Sequence, residues 1–151
     1  MRKRYLLCSL LLISCSLAFS QTAERLAWLL EQERVGYDQA ALFVLEASDN
    51  IDPAAGMSPE DAFNFARENE LLPRGVEANH VVTMRGLALM MMRAFDLSGG
   101  VFYTISGSQH HAYRELTHRG IIQGRSDPLM PVTGDALLFI VGRTLHLTES
   151  E

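Results

Sequence analysis

Apolar residues recur at spacings of three and four, rather than two, along nearly the whole chain, and that period predicts helices. Leu26, Trp28, Leu29 and Leu30 predict a first helix over about Thr22 to Glu33, and Ala41, Leu42, Val44 and Leu45 a second over about Asp38 to Ala47. Only "RVGY" separates them, which favours an antiparallel hairpin. After the polar stretch "SDNIDPAAGM", Ser58 supplies an N-cap, Pro59 a first helical residue, and Glu60 and Asp61 acids where the positive helix end favours them. This third helix should run to about Asn69. Thr83 opens "MRGLALMMMRAF", Gly99-Gly100 breaks the chain, Ser108 starts a helix to about Arg119, and Thr133 caps "GDALLFIVGRTL". The expected architecture is all-α, with six helices around one core that buries Leu87, Leu89, Phe95, Leu137, Phe139, Val141 and Leu145. Trp28 reads as a core anchor, and "GGVFYTIS" is the one candidate strand.

Residues 58–97 align with 108–147 without a gap at an offset of fifty. The identical pairs are Ser58/Ser108, Ala62/Ala112, Val82/Val132, Thr83/Thr133, Leu87/Leu137, Arg93/Arg143 and Leu97/Leu147. Chance would give about two or three such pairs, so an internal repeat of stacked supersecondary units is expected. Near matches reinforce it: Phe63/Tyr113, Leu71-Leu72/Ile121-Ile122 and Glu77/Asp127. Each unit reads as helix, apolar pair, polar loop, capping Thr, helix. The expected organisation is therefore a helical hairpin over 21–57, itself a candidate degenerate copy, followed by units over 58–100 and 101–148.

The stretch from Ser108 to Leu145 resembles the S-layer homology family. "HAY" at 111–113 stands where that family usually has Trp-Ala-Tyr, Gly120 to Gly124 forms its Gly-Ile-Ile-x-Gly turn, Asp127 and Pro131 lie in its loop, and Val132-Thr133 enters its second helix. The earlier copy is similar more faintly, through "ELLPRG" and "VVTMRGLA". The resemblance implies a non-catalytic cell-envelope module of helix–loop–helix units, binding cell-wall polysaccharide, peptidoglycan or another envelope component through the loops between paired helices. It departs from the family where an Arg should follow the Thr, because Met84 and Gly134 stand there. That departure favours an alternative, a periplasmic protein-interaction or assembly subunit without glycan binding.

The first twenty residues carry Arg2, Lys3 and Arg4 and then an apolar run from Tyr5 to Ile13, short of the ~20 residues that span a bilayer, and so predict an export signal. Two processing readings compete. Ala18-Phe19-Ser20 fits cleavage before Gln21, while Leu12-Ile13-Ser14-Cys15 resembles a lipobox with Cys15 as the lipidated residue. Either way the expected location is the periplasm, cell envelope or exterior, with a lipid anchor in the second case. Beyond residue 20 the chain has ten arginines, no lysine and eighteen acids, a net charge of −8. An acidic chain without a basic cluster in its sequence argues against nucleic acid and against adsorption to anionic lipid. Both cysteines lie in the first twenty residues, so no disulfide is expected.

Candidate chemistry is sparse. Arg74, Arg85 and Arg125 lie in or beside the inter-helical loops and are the cations best placed for an acidic glycan, while Arg93 and Arg143 sit late in their helices, where a cation complements the negative helix end. Thr83 and Thr133 are candidate ligand contacts that also serve as N-caps, and Asp127 before Pro128 is either a turn former or a sugar contact. His111 and His118 lie two helical turns apart, about 10 Å, too far to share one metal ion. Met90-Met91-Met92 reads as a helix buried on several sides. No nucleophile, base and orienting acid assemble into a known motif, and no glycine loop for phosphate is present, so no catalysis, cofactor or metal is expected.

Overall fold

The computed structural model of the protein describes residues 23–51, 56–124 and 127–149. The export signal, Cys15 and Arg125 lie outside the described residues. Within them the chain is all-helical, with no strand. Helix α1 covers residues 23–30, α2 Tyr37–Ala47, α3 Pro59–Glu68, α4 Met84–Ala94, α5 Val101–Ser106, α6 Gln109–His118 and α7 Gly134–Thr148.

The helix starts follow from the sequence. Ser58, Thr83, Ser108 and Thr133 each adopt extended backbone and accept a hydrogen bond from the amide three residues on. Besides Gly107 after α5, four helix ends turn through a left-handed residue, at Asp49, Glu70, Asp96 and Gly120. Immediately after that residue the chain folds back: the amides of Leu71, Leu97 and Ile121 bond to the carbonyls of Ala66, Met92 and Leu116. Apolar residues just past the turn are thereby drawn under the helix that precedes them, and Leu72, Ile121 and Ile122 are buried.

One expectation is overturned at "GGVFYTIS", which forms α5 rather than a strand. Its β-branched residues favour a strand only where a neighbouring edge accepts them. Here side-chain bonds decide: the Thr104 hydroxyl bonds to the carbonyls of Gly99 and Gly100, and, from the following helix, Glu115 Oε2 accepts from the Gly100 amide at 3.1 Å.

The core is centred on α4, whose residues Leu87 to Met92 are all buried, so the three methionines fill it on several sides. Helix α3 packs on α2, α6 packs on α4, and α2 also meets α4 and α7. Three valines tie the centre together through a closed ring of backbone bonds. Val35 donates to Val132, Val132 to Val82 and Val82 to Val35, each at 2.9 Å, and all three side chains are buried. The helices that follow these valines are fastened just outside the ring. The amide of Tyr37 bonds to His80 O, that of Met84 to Met130 O and that of Gly134 to Gln32 O. Two expected core residues lie outside it: Phe139 is 64% exposed and Trp28 45%. On α7 the inward stripe is Leu137, Ile140, Val141 and Thr144, which puts Phe139 on the opposite side.

Candidate functional site

Arg74 and Arg85 come together. Arg74 sits in the turn after α3, beside Gly75 at φ 75°, and Arg85 occupies the first turn of α4. With Arg93 they line one open groove of about 580 Å³, walled by the Leu72-Pro73 turn, by Leu89 and by the α5–α6 junction from Ser106 to His110. Among the described residues no carboxylate lines it. A smaller recess of about 220 Å³ shares Arg74 and Arg93 and adds Arg67 and Glu70.

The arginines of the groove differ in freedom. Arg93 donates to the carbonyls of Glu70 and Leu72, so it clamps the turn after α3. Arg143 does the same to Ile121 O at 3.0 Å. Both therefore satisfy carbonyls of another segment; Arg93 also stands in the last turn of α4, as expected, whereas Arg143 lies short of the last turn of α7. Arg74 and Arg85 make no side-chain hydrogen bond or ion pair among the described residues, and their guanidinium donors are available to a ligand.

The other expected contacts are bound into local structure and do not line the groove. Thr83 accepts from Gly86 N at 3.3 Å and bonds to the Tyr37 hydroxyl. Burial pushes that hydroxyl's pKa up, against the pull of the Thr83 bond and the Arg85 charge. Thr133 accepts from Ala136 N at 3.4 Å, and its hydroxyl bonds to Asp135, whose carboxyl it holds below the ordinary range. Asp127 Oδ1 accepts from Leu129 N at 2.8 Å, closing the turn that presents Pro128 O to the Arg85 amide at 2.9 Å. Asp127 thus acts on the groove indirectly, by fixing the backbone that carries Arg85.

Gly134 has its own cause. A Cβ at this residue would stand 1.7 Å from the carbonyl oxygen of Leu29, so no side chain fits where the resemblance calls for arginine. Contacts that the sequence did not single out come from the α5–α6 junction. His111 Nδ1 lies 2.6 Å from Ser106 Oγ and 3.0 Å from Ser108 Oγ, and its ring stacks on Phe102 with centroids 6.0 Å apart. Gly107, left-handed at φ 55°, makes the sharp turn that brings these serines and His110 to the groove wall.

Among the described residues no three His, Cys, Asp or Glu side chains cluster as metal ligands, and no helix is long and apolar enough to cross a membrane. No protein-family model matches the chain, and no curated protein or solved structure shows significant similarity to it.

Proposed function

We propose that the protein is a non-catalytic module of the cell envelope, similar to S-layer homology domains, which holds an anionic wall polymer in the groove where Arg74 and Arg85 converge. The observation that carries the reading is this convergence of two uncommitted guanidiniums, one from the turn after α3 and one from α4, in a groove that no described carboxylate lines. A planar guanidinium suits the paired oxygens of a carboxylate, ketal or phosphate on a glycan. The organisation into copies draws support from the roles shared fifty residues apart: Ser58 and Ser108 cap, Thr83 and Thr133 cap, and Arg93 and Arg143 clamp the preceding turn. Val35 takes the same place in the valine ring as Val82 and Val132, which supports residues 21–57 as an earlier copy.

Co-sedimentation with purified cell wall tests the proposal. The protein should pellet with the wall, and Arg74→Gln and Arg85→Gln should each weaken recovery by roughly tenfold, about 1.4 kcal/mol. Equal recovery in the supernatant with and without wall would reject it. The alternative, an assembly subunit that has lost glycan binding, draws on Gly134, whose backbone contact with Leu29 leaves no room for the family's arginine. Wall binding that is absent from both wild type and variants, with a protein partner retained, would favour that reading.

A further inference from the structure

Helix α5 is the most exposed apolar feature of the described chain. Val101, Phe102 and Ile105 are 71%, 75% and 80% exposed, while Tyr103, on the same helix, turns inward and hydrogen-bonds to Arg93. The three exposed residues occupy positions i, i+1 and i+4, one side of a helical turn. The side-chain hydroxyls of α5 and the amide that closes its last turn have partners within the protein. Thr104 bonds to the carbonyls of Gly99 and Gly100, Ser106 Oγ to Phe102 O at 2.8 Å, and the Gly107 amide to Tyr103 O at 2.7 Å. Internal partners for these hydroxyls lower the cost of bringing the apolar side of α5 out of water, since unpaired polar groups are what make that transfer costly.

Charge sits beside it in a consistent sign. Two grooves border α5. One holds Arg74, Arg85 and His110, and the other, of about 210 Å³, holds His111, Arg114 and His118. Among the described residues the only carboxylate in either lining is Glu115, which is paired to Arg119 at 3.1 Å and bonded to the Gly100 amide. A chain of net charge −5, its histidines neutral, thus places the arginines Arg74, Arg85 and Arg114 beside its most exposed apolar residues. The sequence average that argued against anionic lipid does not describe this side of the molecule, and at about 0.15 M salt distant acids are screened beyond ~8 Å.

We infer that α5 is a membrane-contact element that seats on a bilayer bearing anionic headgroups, with Phe102, Ile105 and Val101 entering the boundary of headgroup and acyl chain and Arg114 facing the phosphates. Size favours lipid over a protein partner. Three side chains offer on the order of 400 Å², half of the ~800 Å² that one side of a standard protein interface buries, whereas shallow insertion into a bilayer needs no larger matching surface. The inference shares Arg74 and Arg85 with the wall-polymer reading as neighbouring charge, but it turns on the apolar side of α5 and on Arg114, which that reading does not use.

The test is vesicle co-sedimentation of the chain from Gln21 onward, which contains every described helix, with vesicles of phosphatidylcholine alone and of phosphatidylcholine mixed with phosphatidylglycerol. Binding is expected to the mixed vesicles, weakening as salt rises. Phe102→Ser with Ile105→Ser should reduce it at least tenfold, and Arg114→Gln should reduce it less while flattening the salt dependence. Ile105→Ser alone, checked by circular dichroism for an unchanged melting midpoint, guards against loss through misfolding. A wild-type protein that stays in the supernatant with both vesicles overturns the inference, as do apolar variants that pellet like wild type. Self-association or capture of an acidic protein that depends on Phe102, in place of lipid, also overturns it. Wall co-sedimentation of the Phe102/Ile105 variant should equal wild type, so failure here leaves the polymer reading to its own test.

Discussion

The Cα of Gly134 packs directly on the carbonyl of Leu29, and a Cβ there would stand 1.7 Å from that oxygen. Backbone, not a flexible side chain, is the obstacle, so relief requires α1 and α7 to separate. Gly134→Ala should therefore destabilise the protein by about 3 kcal/mol, the upper end for overpacking, in urea unfolding. Gly142, on the same helix with nothing within 4 Å of an added Cβ, is the control: Gly142→Ala should stabilise by roughly 0.5–1 kcal/mol.

The arginines separate into clamps and free donors. Arg93→Gln and Arg143→Gln each remove a charged donor from turn carbonyls and should cost about 1.5–3 kcal/mol of stability. Arg74→Gln and Arg85→Gln should stay within about 0.5 kcal/mol of wild type, since no internal hydrogen bond is lost. Urea midpoints on the four variants decide this, and comparable losses in all of them would remove the distinction on which the binding groove rests.

Glu115 joins α6 to the start of α5. The Gly100 amide, and then Arg119, hold its carboxyl below the ordinary glutamate value of 4.5. A lowered folded-state value means that the ionised group stabilises the fold above the ordinary value, and that this contribution disappears as pH falls through the lowered one. Amides of α5 should therefore exchange faster at about pH 3 than rate correction for pH alone allows. Glu115→Gln should show fast exchange at neutral pH and little further change on acidification.

The valine ring should behave as a unit in hydrogen exchange. The amides of Val35, Val82 and Val132 are each bonded at 2.9 Å, each to a different segment, and each lies in the core. All three should exchange only through global unfolding, with equal protection and equal response to denaturant. Separate opening free energies for the three would show that the ring can open piecemeal.

The parts of this fold that depend on local chemistry were legible in the sequence. Ser58, Thr83, Ser108 and Thr133 cap helices where their spacing placed them, because an N-cap needs only its own next turn. Arg74 and Arg85 could be selected as loop-side cations, yet their shared groove depends on the α5–α6 junction, which no local pattern announces. The failures have a common cause in long-range contact. "VFYTIS" has strand-like composition, and a carboxylate on the following helix helps hold it helical. Phe139 has the character of a core residue but falls outside the buried stripe of α7. Gly134 read as an absence of arginine, and only the path of α1 shows that it is a requirement for none.

The valine ring also imposes an order of events. The Val35 amide donates to the carbonyl of Val132, nearly a hundred residues on, and the Val35 carbonyl accepts from the amide of Val82 in between. No two of the three segments can satisfy one another completely, so the closed arrangement is unavailable until the third has emerged. A nascent chain of this design can pair its early helices, but it cannot lock them together until Val132 has left the ribosome.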